Sequence, residues 1–289
     1  MDMPLTAAFR SMKAPVNKII NFSNVDGPHN RTAIFFQGCN FNCLFCHNPE
    51  TINTCIHCGA CVQTCPVQAL SLKEGKVVWD PEICVNCDTC IKTCPHNSSP
   101  KISMMSVEDI MKRIRKLRPY IKGITTSGGE CTLQKDFLIE LFTEVKKLGL
   151  TCLIDSNGSL DFEKYPELLE VADGVMLDVK ASDFDFHNTL CAFDNHIVLK
   201  NLDYLLSVNK LYEVRTIIFP DRDHDNETTI RYVSEHIQDR CLYKIIKYRP
   251  FGVREKNLDI LSHFETEQEY AQIYLDLALS LGAEKAFIV

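Results

Sequence analysis

Three cysteines with close spacing follow an apolar segment: Cys39, Cys43 and Cys46, in the pattern C-x3-C-x2-C. Three thiolates can ligate three irons of a [4Fe–4S] cube and leave the fourth iron open. An open iron can chelate the amino and carboxylate groups of a methionine moiety, much as a catalytic zinc keeps one position open. For this motif alone, the alternative is a zinc site with His47 as the fourth ligand.

Eight further cysteines form an internal repeat, in which Cys84 follows Cys55 by 29 positions. Both halves read C-x2-C-x2-C-x3-C-P, the run of bacterial two-cluster ferredoxins, in which the fourth cysteine ligates the other cluster. The predicted ligand sets are therefore Cys55, Cys58, Cys61 and Cys94 for one [4Fe–4S] cluster, and Cys84, Cys87, Cys90 and Cys65 for the other. Zinc ribbons also use C-x2-C pairs, but they do not require four tightly spaced cysteines twice, each run followed by proline.

The chain has fifteen cysteines in 289 residues, and these spacings indicate metal ligation rather than disulfides. Disulfides are also rare in the cytoplasm, where we expect this protein to work. The remaining cysteines are scattered singly, mostly beside apolar residues. We expect them to be small buried side chains: Cys131, Cys152, Cys191 and Cys241.

Other polar motifs stand at the ends of apolar segments. They are Ser127-Gly128-Gly129-Glu130, Asp155-Ser156-Asn157-Gly158 and Asp178-Val179-Lys180, with Arg215 inside a later segment. Adjacent glycines let a ligand approach the backbone, and the Glu130 carboxylate can bind an ammonium group. Each motif alone is also typical of a turn or a surface ion pair. Together they lie where a parallel α/β fold places its site, beyond the carboxyl ends of the strands.

The elements that position these motifs alternate between strands and helices outside residues 50–100. Apolar runs predict strands at 32–36, 123–126, 151–154, 174–177, 213–219 and 244–248, and amphipathic patterns predict helices at 134–148, 163–171, 197–208, 227–238 and 265–281. Six such units predict an α/β fold with a parallel sheet, an incomplete (β/α)6 barrel. The predicted domains are 1–49 as the first part of the barrel, 50–100 as an inserted ferredoxin-like domain with one short strand at 76–79, and 101–289 as the remainder.

Charge and hydropathy argue against several function classes. A formal net charge of -7 argues against nucleic-acid binding, which relies on a clustered basic face. The basic run at 112–118 has helical spacing and is either a solvated helix face or a surface for an acidic partner such as a flavodoxin. The sequence has no run of about 18 apolar residues to span a membrane. Residues 1–16 also lack the apolar region of a signal peptide.

The C-x3-C-x2-C loop, with an aromatic residue before its third cysteine, resembles the signature of the radical S-adenosylmethionine (SAM) superfamily. Over nearly its full length the chain resembles the activating enzymes of glycyl radical enzymes. The motifs that carry this resemblance are Asn24-Val25-Asp26-Gly27-Pro28, Phe36-Gln37-Gly38-Cys39, Cys46-His47-Asn48-Pro49, Thr126-Ser127-Gly128-Gly129-Glu130, Asp155-Ser156-Asn157-Gly158 and Met176-Leu177-Asp178-Val179-Lys180. The insert, which the branch acting on pyruvate formate-lyase lacks, and the late Phe251-Gly252-Val253 look most like the YjjW-type activases.

The resemblance implies a reaction and a set of roles. Reductive cleavage of SAM at a low-potential cluster gives a 5′-deoxyadenosyl radical, which abstracts hydrogen from a backbone glycine of a partner enzyme. The loop cysteines would hold the SAM cluster, and Asp26 and Asn48 would face the glycine loop of the partner. The implied SAM contacts are Phe45 and His47 at the adenosine, Gly128, Gly129 and Glu130 at the methionine amino group, Asp178 and Lys180 at the carboxylate side, and also Ser156 and Arg215.

The resemblance also implies a monovalent cation, with ligands at Asp155, Ser156, the Met176 carbonyl and Asp178. The implied partners are a glycyl radical enzyme, of the YjjI type for a YjjW-type activase, and a flavodoxin or ferredoxin as electron donor. The two clusters of the insert would relay electrons or dock the partner. One departure is the histidine that follows the last strand in the family: 248–253 contains none, so Arg249 or backbone would take its place.

Two other interpretations fit part of the sequence. A radical SAM enzyme that modifies peptides with auxiliary clusters would carry cysteine clusters after the barrel, but here no cysteine cluster follows Cys94. A pure iron–sulfur electron carrier would leave the first cysteine loop and most of the α/β pattern unexplained.

Overall fold

The computed structural model describes residues 12–289. The prediction that residues 1–16 carry no signal peptide therefore rests mainly on positions outside the described range. Within that range, no helix combines the length and the apolar character needed to cross a membrane.

A sheet of nine strands runs through the described part of the chain. In spatial order the strands are β11 (Ala286–Ile288), β10 (Leu242–Lys247), β9 (Leu211–Ile218), β8 (Gly174–Asp178), β7 (Thr151–Ser156), β6 (Gly123–Gly128), β2 (Arg31–Phe36), β1 (Lys13–Ser23) and β5 (Ser103–Ser106). Neighbours from β2 to β11 pair in parallel, whereas β1 is antiparallel to both β2 and β5. The order begins at β11 and ends at β5, so the sheet is open, which is consistent with an incomplete barrel.

Helices fill most connections between the parallel strands. In chain order they are α1 (Thr89–Thr93), α2 (Val107–Leu117), α3 (Lys135–Lys146), α4 (Pro166–Val171), α5 (Phe184–Cys191), α6 (His196–Ser207), α7 (Asp223–Ile237), α8 (Glu255–Leu258) and α9 (Gln268–Ser280). Apart from α1, whose Cys90 belongs to a separate small cluster, these helices pack apolar side chains on the sheet in one large core. The predicted α/β class with a parallel sheet is confirmed.

The central strands are apolar on both faces because helices and neighbouring segments cover both sides of a parallel sheet. In β7, three consecutive side chains, Cys152, Leu153 and Ile154, are each at most 3% exposed. Such uninterrupted runs are visible in the sequence. All six predicted strands exist, and their ends lie within two residues of the predicted ones.

Outside residues 50–100, the sequence prediction missed five strands and helices of the described range: β1, β5, β11, α5 and the four-residue α8. Strands β5 and β11 have only four and three residues, too few to show a period. Strand β1 contains Pro15 and has no clean alternation of buried and exposed residues. Helix α5 follows directly after β8, where a single helix was expected before β9. The basic run does lie on a helix: α2 begins at a capping box of Ser106 and Asp109.

The segment between β2 and β5 forms its own small layer. Strands β3 (Leu70–Lys73) and β4 (Lys76–Trp79) pair as an antiparallel ribbon, which confirms the predicted strand. A small apolar cluster consists of Cys61, Leu70, Val77 and Cys90. The two ends of this segment lie side by side. Asn53 forms a β-bridge with Ser98, and the backbone amide of Asn53 donates to the Asn97 carbonyl.

Arg31 joins the amino-terminal ends of three strands and is only 1% exposed. Its Nε donates to Thr125 Oγ1 (2.9 Å), and Nη1 donates to Thr151 Oγ1 (2.9 Å). Its Nη2 donates to the carbonyls of Ile124 (2.6 Å) and Thr151 (3.1 Å). Burial lowers the pKa of this guanidinium, and the four hydrogen bonds compensate for its lost hydration.

We expect Arg31→Met to lower the free energy of unfolding by about 2–4 kcal/mol, because buried acceptors in β6 and β7 lose their donor. Arg118→Met is the matched control, since Arg118 Nε donates to one carbonyl at the surface, that of Leu148; its loss should stay below about 1 kcal/mol. The measurement is anaerobic urea unfolding followed by circular dichroism. Equal shifts of the two midpoints would contradict the role assigned to Arg31.

Candidate active site

The three-cysteine loop follows β2 and is held by backbone hydrogen bonds. The Gly38 amide donates to the Thr51 carbonyl (2.8 Å), and the Cys39 amide donates to the Ile52 carbonyl (2.9 Å). From the end of β6, the Glu130 amide donates to the Gly38 carbonyl (2.8 Å). The loop has no regular secondary structure, so these bonds from two sides fix its course.

Gly129 makes this close approach possible. A Cβ on Gly129 would lie 2.2 Å from the Gly38 carbonyl oxygen and 2.8 Å from that of Thr51. The neighbouring Gly128 has φ +123°, and a Cβ there would lie 2.3 Å from the Phe36 backbone. The two glycines are therefore needed for backbone packing, in addition to any ligand contact that the sequence predicts for them.

The three loop thiols lie close enough to influence one another's ionisation. Burial raises the pKa of Cys39 to about 12 and that of Cys46 to about 11, and neighbouring thiolates of the loop add to both shifts. Burying three adjacent thiols costs less free energy when they bind a metal as thiolates, because the metal replaces their protons. The donor set thus fits a cluster that three cysteines hold.

Two neighbours of these thiols were missed by the sequence prediction. The Asn157 side-chain amide donates to Cys39 Sγ (3.8 Å) and to Asn40 Oδ1 (3.1 Å). Cys191, fully buried at the end of α5, accepts a hydrogen bond from the Asn42 amide of the loop at its carbonyl (2.9 Å), and its thiol, followed by burial, raises the pKa of Cys43. All four scattered cysteines are buried as expected, but Cys191 also borders the loop. No local spacing relates it to Cys43.

Glu130 is 1% exposed and joins the ends of β6 and β7. Its carboxylate accepts hydrogen bonds from the Thr132 amide (2.9 Å) and hydroxyl (2.5 Å), from Ser156 Oγ (3.0 Å) and from the Asn157 amide (2.7 Å). Burial raises the pKa of Glu130, and these four hydrogen bonds oppose the shift. The carboxylate therefore connects the ends of β6 and β7 through hydrogen bonds. Its contact with an ammonium group stays a prediction.

A set of buried ion pairs joins β7, β9 and β10. Arg215 Nη1 pairs with Asp155 Oδ1 (2.8 Å), and its Nε pairs with Glu213 Oε1 (2.6 Å). Lys244 also reaches Glu213 (3.1 Å). Burial alone would lower the pKa of Arg215, but Asp155, Asp178 and Glu213 together raise it. Arg215 therefore stays positively charged among these buried carboxylates.

Asp178 and Lys180 follow the end of β8 and pair at 2.7 Å. Burial opposes the charge of Lys180, but the Asp178 carboxylate, with Cys43 and Cys191, raises its pKa. The ammonium also lies 5.4 Å from the centre of the Phe45 ring. The predicted carboxylate-side residues thus lie beside the cysteine loop.

The predicted cation ligands lie on two neighbouring strands, with Asp155 opposite Met176 and Ser156 opposite Leu177 in the register. Arg215 contacts two of them, since its Nη2 lies 3.2 Å from Met176 Sδ in addition to its pair with Asp155. Among residues 12–289, no group of three or more His, Cys, Asp or Glu side chains is arranged to hold a single metal ion. The cation site stays a prediction.

The segment 249–254, called the late loop, packs against the cysteine loop and contains no histidine. His47 Nε2 donates to the Arg249 carbonyl (3.0 Å), and a Cβ on Gly252 would lie 2.8 Å from the His47 carbonyl oxygen. Arg254 donates to Asn42 Oδ1 (2.7 Å) and to the Cys43 carbonyl (2.8 Å). These contacts span more than 200 positions of sequence, and no motif indicated them.

A cleft of about 980 Å³ brings together other predicted residues. Asp26, Asn48 and Gly128 line it with residues of β1 and of the small layer around β4. Asp26 is fixed by its own neighbours: Ser23 Oγ donates to its carboxylate, and Thr125 Oγ1 donates to its carbonyl. The residues predicted to face a partner's glycine therefore border one open space.

The repeated cysteines line two further cavities. The four in one cavity are Cys55, Cys58, Cys61 and Cys94. The four in the other are Cys65, Cys84, Cys87 and Cys90. Each cavity thus contains three cysteines from one half of the repeat and the fourth cysteine of the other half.

We expect Gly129→Ala to displace the Gly38 carbonyl and so disrupt the cysteine loop. Iron bound after anaerobic reconstitution should fall by about four atoms per chain, the content of one cube. Gly149→Ala is the control: its φ of +72° adds backbone strain that is absent at Gly129, but its Cβ would meet nothing within 4 Å, so its iron content should stay at the wild-type level. Unchanged iron content in Gly129→Ala would contradict the close approach described here.

Comparisons with known proteins agree with this geometry. The sequence model of the Radical SAM superfamily matches residues 33–233. The chain is 34% identical over 218 residues to the trans-4-hydroxy-L-proline dehydratase activating enzyme of Clostridioides difficile, an alignment covering 70% of this chain and 72% of that enzyme. It is 30% identical over 235 residues to the pyruvate formate-lyase 1-activating enzyme of Escherichia coli K12, covering 78% and 76%.

A solved structure supports the fold alone. QueE from Escherichia coli matches 97% of this chain and 96% of its own with a TM-score of 0.55, at 13% sequence identity. The superfamily match begins in β2, directly before the cysteine loop, and extends into α7. The chain belongs to the radical SAM superfamily and, within it, to the glycyl-radical-enzyme activating enzymes.

Proposed function

We propose that this chain activates a glycyl radical enzyme by cleaving SAM reductively and abstracting a hydrogen atom from a backbone glycine of that partner. The observation that carries the proposal is the joining of the three-cysteine loop to the carboxyl ends of β6 and β7, through the Glu130 amide and the Asn157 side chain. This is the edge at which parallel α/β folds bind ligands.

The site residues divide into three regions. Cys39, Cys43 and Cys46 would hold the SAM cluster, with Phe45 and His47 near the adenosine. Gly128, Gly129 and Glu130 would face the methionine amino group. The carboxylate would meet the basic side of the site, which consists of Lys180 and Arg215 with their partners Asp178 and Asp155, and with Ser156 beside them.

When bound, SAM and a reduced [4Fe–4S] cluster supply the 5′-deoxyadenosyl radical that removes the hydrogen atom. The work of this chain's residues is positioning, because so reactive a species must meet one C–H bond only. Asp26 and Asn48 line the cleft that reaches Gly128 and would orient the partner's glycine. The apolar surroundings of Phe45, which is 7% exposed and packs on Phe219 (5.3 Å between ring centres), help to exclude water.

We further propose that residues 50–100 form a ferredoxin-like insert with two more [4Fe–4S] clusters. The support is the grouping of cysteines in the two cavities, which is the crossed pairing that ferredoxin runs use. The clusters would pass electrons from a flavodoxin or ferredoxin in the cytoplasm. By the likeness of its insert, the chain would be a YjjW-type activase with a YjjI-type partner. A monovalent cation at Asp155, Ser156, Met176 and Asp178 also belongs to this proposal.

The test of the activity is anaerobic. The enzyme, reconstituted with iron and sulfide and reduced, is mixed with SAM and the unactivated YjjI-type enzyme, and electron paramagnetic resonance is recorded. We expect a glycyl doublet on the partner together with 5′-deoxyadenosine, both lost in Cys39→Ala. Formation of 5′-deoxyadenosine without a doublet would mean a different substrate, and the absence of both with about twelve irons bound would contradict the proposal.

Double variants test the crossed ligand sets. Cys55→Ala with Cys94→Ala removes two ligands of one proposed cluster, so iron should fall from about twelve to about eight atoms per chain. Cys55→Ala with Cys65→Ala removes one ligand from each, so iron should fall to about four. Uncrossed sets would give the opposite order of iron contents in the two double variants.

A further inference from the structure

The cleft of about 980 Å³ lies between two parts of the chain. One wall belongs to the sheet and comes from β1, with Lys18 and Ile20 among its residues. The other wall comes from the small layer and consists of Trp79, Asn86, Asp88 and Ile91, with Lys101 after it. The volume is at the upper end of the range for small-molecule sites.

The cleft is continuous with the active site. Asn48, two residues after Cys46, lines it, as does Gly128 at the end of β6. A ligand that fills the cleft therefore has one part beside the SAM site and another part against the insert. The proposed SAM contacts lie at the ends of β6 to β9, which leaves the cleft for a different occupant.

The insert wall contains polar groups that could bind a ligand, namely the Trp79 indole N–H and the Lys101–Asp88 pair. Over the described residues, the Trp79 indole Nε1 is buried and has no hydrogen-bond partner. Lys101, with 13% of its side chain exposed, pairs with Asp88 at 2.5 Å. A buried indole N–H without an acceptor costs free energy, and an acceptor brought by a ligand would recover it.

The charges of the cleft select among occupants. Its basic residues are Lys18, Lys101 and Arg113, and its acidic residues are Asp26, Glu50 and Asp88. An acidic electron donor would need a wall of one sign, because complementary potentials guide such docking. Balanced charges and the unpartnered indole N–H of Trp79 instead suit an extended polypeptide, which presents alternating backbone carbonyls and amides.

We propose that this cleft receives the glycine-bearing segment of the partner enzyme as an extended chain, so that the insert forms one wall of the protein-substrate groove. The inference rests on the proposed activation of a glycyl radical enzyme and adds the surface that recognises it. The glycine lies at Asp26, Asn48 and Gly128, and the flanking chain runs along Trp79 and Lys101. Trp79 Nε1 donates to a backbone carbonyl of that chain.

The first test is hydrogen–deuterium exchange on the reconstituted wild-type enzyme, with and without the unactivated YjjI-type enzyme. We expect slower exchange in both walls of the cleft, residues 16–20 and 79–91. Slower exchange in 16–20 with none in 79–91 would overturn the groove while leaving the proposed activity intact. A complex with this protection but no glycyl radical would instead count against the proposed activity.

The second test uses variants and the dissociation constant of the same complex. Trp79→Ala should raise it at least about tenfold, and Trp79→Phe, which lacks only the N–H donor and part of the ring, should give a smaller rise. Leu72→Ala is the control, because Leu72 lies on the paired strand β3, is 56% exposed and is not part of the cleft lining. Each variant is compared at wild-type iron content. A Trp79→Ala protein that binds within about twofold of wild type would overturn the proposal.

Discussion

The site depends on hydrogen bonds from neighbouring segments to the backbone of the cysteine loop, which has no helix or strand of its own to supply them. Residues between β2 and the first turn after Asn48 form no helix or strand, so their amides and carbonyls need partners from elsewhere. The partners come from four places: the turn at Thr51 and Ile52, the end of β6, the end of α5, and the start of α8 with Arg254 and Asn257. The positions of the cysteines are therefore set by the ends of the sheet, and the close packing at Gly129 follows from the same requirement.

Buried charge is the second feature that packing alone does not explain. Three cations, Arg215, Lys180 and Lys244, face three carboxylates, Asp155, Asp178 and Glu213, with most of their surface removed from water. Replacing a buried ion pair by apolar residues is often neutral or stabilising, so such pairs are weak sources of stability. One of these pairs, Lys180 with Asp178, lies beside the cysteine loop, where a polar ligand is proposed to bind. SAM carries an ammonium, a carboxylate and a sulfonium, and a site with paired charges can exchange one partner for each of them.

The parts predictable from sequence are those with a local signal. Parallel strands such as β7 show as apolar runs, and strand ends with polar residues indicate where a ligand lies. Cys191 against Cys43, and Arg254 on the loop carbonyls, arise when α5 and the late loop fold over the cysteines. Nothing in the spacing of these residues marks them, because their partners are set by tertiary packing. Arg249 also contacts the loop through its backbone carbonyl, which accepts a hydrogen bond from His47, and a backbone contact does not depend on residue type.

Electron relay and partner docking were expected as alternative roles of the proposed insert clusters, and the insert can combine them. Its own apolar cluster consists of Leu70 and Val77 with two cysteines, far too small to fold without metal in a segment of about fifty residues. On the proposed ligand sets, cluster binding supplies the folding free energy of the insert. Trp79, Asp88 and Lys101 line both the cavity of one cysteine set and the cleft. In the proposed arrangement, the cluster behind this wall orders it, so an enzyme without that cluster would lack part of the proposed electron path and also part of the proposed docking surface.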